Sequence, residues 1–129
     1  MAKPQLAKLE LEVMKRIWAR QRATVRDVWE DLYPATSLAY TTVATVIRKI
    51  EQRGFVAHEA EDRTYVYYPT VAQDDASSNM ARDLVERVFD GSPTRLVRAL
   101  IDSGDLSDEE LAELQQLVDT WRNRKTSDD

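Results

Sequence analysis

The sequence predicts a mainly α-helical fold carrying one small β-hairpin. Three observations lead there. Apolar residues recur at three- and four-residue steps over most of the 129 residues, one central stretch switches to alternation, and only three glycines and four prolines interrupt the chain. The first pattern is helical, the second is that of strands, and scarce Gly and Pro leave few sharp loops. The alternating stretch follows three helical stripes directly, so the first half reads as a winged helix-turn-helix unit and the second as a separate run of three helices. The boundary is expected at 70/71, giving a binding unit (1–70) and a helical association unit (71–129).

The first four residues read as loose. From Leu6 to Arg20 the apolar positions Leu6, Leu9, Val13, Met14, Ile17 and Trp18 form one stripe. Trp18 continues that stripe and reads as a core anchor, while Glu10 and Glu12 read as solvated helix residues, not catalytic carboxylates. Gln21-Arg22-Ala23 suits a short turn. Thr24, followed three residues on by Asp27, makes a helix-start box ahead of Val25, Val28, Trp29 and Leu32. Pro34 is expected to end this second helix, because the residue before a proline is steered away from the α region. Residues 35–38 then turn the chain into a third helix.

That third stretch, Ala39 to Gly54, has two faces. Val43, Val46, Ile47 and Ile50 make the apolar one; Tyr40, Thr41, Thr42, Thr45, Arg48 and Lys49 supply hydroxyls and positive charge away from it. Gly54 stands where a helix end favours positive φ. Short hydroxyls can bond phosphates or base edges, threonine methyls can meet thymine methyls, and cations offset phosphate charge. A half-buried helix with an ordinary solvated face fits the same pattern. What comes next favours DNA. Phe55–Glu59 and Thr64–Pro69 are strand candidates around the polar turn 60–63. Arg63 at the tip either reaches a phosphate or minor groove, or pairs locally with Glu61 or Asp62.

Beyond Val71 the chain is helical again. Asp74 and Asp75 place negative charge near a helix start, and Ala76, Met80, Leu84, Val88 and Phe89 form the stripe, with Val85 beside it. Gly91 stops it. Ser92-Pro93 opens a helix striped by Leu96, Val97, Leu100 and Ile101. After Gly104, Ser107 to Glu110 makes a capping box for Leu111, Leu114, Leu117, Val118 and Trp121, and the tail from Asn123 is expected to fray. Three helices in ~50 residues rarely bury enough surface to stand alone. Burial against a second copy resolves this, so a homodimer is expected through Met80, Leu84, Val88, Leu96, Leu100, Leu111, Leu114, Leu117, Val118 and Trp121. Packing of these helices onto the first half is the alternative.

Charge and composition narrow the function. Net charge is −5, but residues 1–68 hold 11 Lys+Arg against 9 Asp+Glu and residues 69–129 hold 7 against 14. Local basic surface, not the total, governs attraction to phosphate. There is no cysteine and a single histidine, His58, so no thiolate metal site and no metal cofactor are expected. His58 reads as a plain strand residue, with a pH sensor or ligand as the other reading. No nucleophile–base–acid grouping or phosphate-binding glycine loop can be assembled, which argues against an enzyme. No apolar run reaches the ~20 residues of a membrane span and no signal-peptide segment is visible, so cytoplasmic residence is the expectation.

Glu10-Leu11-Glu12-Val13-Met14 with Trp18, Ala39-Tyr40-Thr41-Thr42-Val43 with Thr45, and Arg63, Tyr65, Tyr67 and Pro69 in alternation resemble the penicillinase-repressor (BlaI/MecI-type) transcriptional regulators. The resemblance covers nearly the whole chain. It implies a winged-helix DNA-binding domain joined to a helical dimerisation domain, and repression by a homodimer on a two-fold double-stranded operator. It places Ala39, Tyr40, Thr41, Thr42, Thr45 and Arg48 at the groove, with Arg63 in the wing; Lys49 joins them by charge. It further implies a sensor-linked protease as partner, cutting at the bond corresponding to Ala99–Leu100, where the β-lactam-responsive members have Asn-Phe. Thiolate copper sensing, used by other relatives, is excluded without cysteine. The rival from another class is a protein-interaction module on the same scaffold, which would show no salt-dependent DNA binding.

Overall fold

The computed structural model describes residues 6–127, and among them the order is α1 (Lys8–Arg20), α2 (Val25–Thr36), α3 (Tyr40–Gln52), β1 (Val56–Glu61), β2 (Thr64–Pro69), α4 (Gln73–Val88), α5 (Pro93–Asp102) and α6 (Asp108–Ser127). The expectation of a loose start for residues 1–4 lies outside the described residues. The chain divides into two compact units, Met1–Ala81 and Arg82–Asp129, with the division inside α4.

In the first unit the expected stripes converge. Val13, Met14 and Ile17 of α1, Val28 and Leu32 of α2, and Val43, Ile47 and Ile50 of α3 are fully enclosed, with Val56 and Tyr67 closing the core from the hairpin. Trp18 anchors this core as expected, and its indole Nε1 donates to the Val71 carbonyl at 2.8 Å. Ala76 is buried in the same core, and Met80 packs partly against it. Met80, expected at an interface between copies, has part of its surface on this core.

The hairpin is antiparallel, pairing Val56 with Pro69 through Glu61 with Thr64. The turn is thus the two residues Asp62 and Arg63, tighter than expected, with Asp62 at φ 56°. A short third edge joins it: Ala23 and Tyr67 exchange backbone hydrogen bonds of 2.9 and 2.8 Å. Residues 21–23 are therefore more than a turn.

Local capping follows the sequence. Thr24 Oγ1 accepts from the Asp27 amide and Asp27 Oδ2 accepts from the Thr24 amide, both at 3.0 Å. Pro34, however, does not end α2, which runs on to Thr36. A proline there removes one hydrogen bond to the carbonyl four residues back. The turn survives because the Thr36 hydroxyl donates to the Leu32 carbonyl (2.8 Å) and the Ser37 amide to that of Tyr33 (2.9 Å). Ser37 then takes the left-handed conformation that closes the helix.

Glu10 also departs from expectation. It is only 4 % exposed, not solvated. Its Oε1 accepts from the Ala7 amide (2.8 Å) and from Arg53 Nη1 (2.5 Å). Burial pushes this carboxyl up, but the bonds from Arg53 and Ala7 and the charges of Arg53 and Lys49 outweigh it, and its pKa lies below the ordinary glutamate value. Asp31 is held low chiefly by a two-pronged bond from Arg20, at 2.7 and 2.8 Å, against partial burial. A lowered folded pKa means stability that is complete above the unfolded value and lost as pH falls through the folded one. Thermal stability is therefore expected to fall on acidification below about pH 4. Melting curves of Glu10→Gln should show a shallower acid limb; an unchanged limb would rule Glu10 out as a contributor.

The second unit differs in kind. Ser92 Oγ accepts from the Arg95 amide (3.2 Å) and Ser107 Oγ from that of Glu110 (3.1 Å), as expected of caps. Helix α6 extends through the polar tail to Ser127, where fraying was expected. Yet among the described residues from Arg82 onward none is buried. Leu84, Val88, Leu100, Leu111, Leu117, Val118 and Trp121 are exposed, and Val85, Phe89, Leu96 and Leu114 are only partly covered.

Candidate nucleic-acid interface

Helix α3 turns one face inward through Val43, Ile47 and Ile50, and this fixes what the other face presents. At 100° per residue the positions opposite are Thr41, Thr45, Arg48 and Gln52, with Lys49 and Thr42 alongside. All six are exposed. Ala39 is the N-cap residue, extended at φ −69° and ψ 146°, and α3 starts without a side-chain cap. Gln52 also belongs to this stripe, an uncharged amide that a pattern of charge and hydroxyls does not single out.

The outer hydroxyls are partly committed. Thr45 Oγ1 donates back to the Thr41 carbonyl at 2.9 Å, a bond common for threonine within helices. The same oxygen accepts from Arg48, whose Nη2 lies at 3.5 Å. Tyr40 is set by packing: its ring meets Trp29 edge-on at 6.0 Å, and Trp29 in turn donates from Nε1 to the Leu38 carbonyl at 2.8 Å. The turn between α2 and α3 is thereby pinned by the residue that also backs Tyr40.

Charge pairing ties up several of the cations around this face, although among the described residues Lys8 and Arg16 on α1 are unpaired as well. Arg20 is engaged by Asp31, Arg26 by Glu30 at 3.0 Å and Arg53 by Glu10. Arg22 takes both wing carboxylates, Glu61 at 2.6 Å and Glu59 at 3.5 Å. Glu61 is thus occupied elsewhere, which removes it as a local partner for Arg63. Among the described residues Arg48, Lys49 and Arg63 have no ion-pair partner. Between α3 and the wing lies an open cleft of about 520 Å³, lined by Thr24, Arg26, Tyr40, Arg63, Thr64 and Tyr65 among others, without a carboxylate. Its Arg26 lies on α2 and its Thr64 and Tyr65 on β2, nearly forty residues on, so spacing along the chain could not group them.

The residues named for cleavage lie elsewhere. Ala99 and Leu100 are in the second half of α5, where their carbonyls accept from the Ser103 amide (3.1 Å) and hydroxyl (2.9 Å). The bond is at the surface but helical. No helix among the described residues is long and apolar enough to cross a membrane.

A family model described as penicillinase repressor matches residues 6–120. The chain is 29 % identical over 122 residues to the penicillinase repressor of Bacillus licheniformis, covering 95 % of each. It is 32 % identical over 118 residues to the transcriptional regulator BlaI of Mycobacterium tuberculosis, covering 86 % of each. Among solved structures it resembles the monomeric form of Bacillus licheniformis BlaI in complex with the blaP half-operator. That likeness has a TM-score of 0.50 and 30 % identity, over 57 % of this chain and 89 % of that one.

Proposed function

Because the chain belongs to the penicillinase repressor family, we propose that it is a DNA-binding transcriptional repressor that reads double-stranded operator DNA through α3 and the hairpin tip. One observation carries the reading: the exposed face of α3 bears Arg48 and Lys49, without ion-pair partners, beside Thr41, Thr42 and Thr45, while Arg63, likewise unpaired, lines with Tyr40 at the start of α3 the cleft beside the wing. The helix supplies short side chains and Arg48 for the major groove, and the tip brings Arg63 to the flanking backbone or minor groove. The solved half-operator complex of a 30 % identical BlaI supports the same use of the fold.

The active form proposed is a homodimer joined by the second unit. Its support is the row of exposed apolar side chains on α4, α5 and α6. Two copies place two α3 helices on half-sites about 34–36 Å apart, or a multiple of that, and double a modest positive surface. Relief by proteolysis at Ala99–Leu100 rests on the family resemblance; a cut there requires the last turns of α5 to unwind first.

The test is a salt titration of binding to DNA from the protein's own promoter region. Replacing Arg48 and Arg63 by Ala is expected to weaken binding, and each lost phosphate contact to shallow the log–log salt slope by about 0.9. Wild-type affinity and slope in the double variant would show that the duplex meets another surface.

A further inference from the structure

The hairpin meets α3 at a polar contact that the interface itself does not use. His58 Nδ1 and Glu51 Oε2 lie 2.5 Å apart. Glu51 stands in the last turn of α3, one turn beyond Arg48, and His58 stands on β1 opposite Tyr67. Tyr65 pairs with Ala60, two positions nearer the tip, and so shares a face with His58. The Tyr65 ring stacks on the imidazole with centroids 4.2 Å apart and planes at 24°; the Tyr67 ring flanks it at 5.4 Å. A file of touching groups thus runs from the end of the reading helix, through His58, to Tyr65. Tyr65 is 54 % exposed and lies two residues from Arg63.

We infer that His58 is a positioning residue for the wing: gripped by Glu51 and capped by Tyr65, it sets the angle at which the hairpin tip meets the duplex, and it holds that angle more firmly when protonated. The inference rests on the DNA-binding reading and adds a control to it. A neutral imidazole offers Glu51 one hydrogen bond. An imidazolium offers a charge-assisted bond to Glu51 and a cation against the Tyr65 face. The groups facing it are few. From α3 come Glu51, in contact, and Arg48, whose charge reaches Tyr67; from β2 come Tyr65 and Tyr67. The Tyr67 phenol is pushed above its ordinary value by burial and then by Glu51, so it stays neutral across the range from about pH 5 to pH 8. Protonation also adds one positive charge beside the phosphate path, so the two effects share a sign.

The experiment is equilibrium binding of the full chain to its promoter DNA between about pH 8 and pH 5, the range in which histidine changes charge. His58 is the single histidine in the sequence, and the α-amino group, which also changes charge in that range, is common to every variant compared. Wild-type affinity should rise roughly two- to fivefold as pH falls, as expected of a partly exposed ion pair. His58→Phe keeps a ring on Tyr65 but removes the proton and the bond to Glu51, and it should bind with a flat pH profile. Glu51→Gln, which leaves His58 in place, should reduce the slope to the part that the added charge alone contributes, and His58→Gln should recover part of the affinity at high pH without restoring the slope. Melting curves confirm that each variant is folded. A wild type that binds with no pH dependence, or a His58→Phe variant that titrates as wild type, overturns the inference while leaving the DNA reading intact. No salt-dependent binding at any pH removes both.

Discussion

Replacing Leu117 with Asp is expected to split the protein into monomers and, in the same sample, to weaken operator binding by about two orders of magnitude. The reason lies in what the second unit lacks. Leu117 is 66 % exposed and Trp121 58 %, with Val118 beside them on α6 and Leu84 and Val88 on α4. Large apolar groups left in water favour burial against another molecule, and in the proposed homodimer the cover is the same surface on a second copy. An aspartate placed there would need its charge desolvated without a partner, which opposes association strongly. DNA binding should follow, because linking two half-site readers raises apparent affinity by about 10² to 10⁴ without any new contact. Leu117 lies outside the unit that carries α3 and the wing, so half-site binding and its salt slope should survive. Sedimentation and operator titration on one preparation read both effects. A Leu117→Asp protein that still sediments as a dimer would place the interface elsewhere; a clean monomer with undiminished operator affinity would remove the need for pairing.

Where the chain could be read locally, it was read well. The Thr24–Asp27 box, the Ser92 cap and the Ser107–Glu110 box each involve residues within three positions, and each forms as expected. The inward stripe of α3 is equally local, and it fixed the outward residues before any geometry was known. The departures share a different origin. Glu10 is buried because Arg53 is waiting 43 residues later, and no rule of spacing joins them. Residues 21–23 gain an edge-strand bond only because Tyr67 arrives beside Ala23. Met80 has part of its surface on the core that buries Ala76, though its periodicity matches the residues that follow. The candidate surface divides in the same way. Thr41, Thr45 and Arg48 were visible as one helix face, whereas the freedom of Arg63 depends on Arg22 having taken Glu61. Long-range pairing decides which charges stay available, and a linear pattern carries little of that information.

Replacing Trp18 with Ala should cost the first unit about 3–5 kcal/mol, the range for emptying a core aromatic. Three losses combine. The indole leaves a void beside the fully enclosed Met14 and Ile17, the Val71 carbonyl loses its donor at 2.8 Å, and the lead into α4 is no longer tied to α1. Trp18→Phe separates these terms, because it keeps most of the packing and removes the hydrogen bond, at about 1 kcal/mol. Denaturant melts of both variants give the difference, and hydrogen exchange at the Ala76 amide, bonded to the Ala72 carbonyl at 3.1 Å, reports whether the start of α4 loosens in Trp18→Phe alone. The functional consequence distinguishes this residue from Arg48 and Arg63. Since Trp18 lies in the core, its loss should lower the fraction of protein able to bind and leave the salt slope of the folded fraction unchanged, whereas loss of a surface arginine changes the slope without changing the melt. A Trp18→Ala protein as stable as Trp18→Phe would mean that the enclosed indole contributes little beyond its one hydrogen bond.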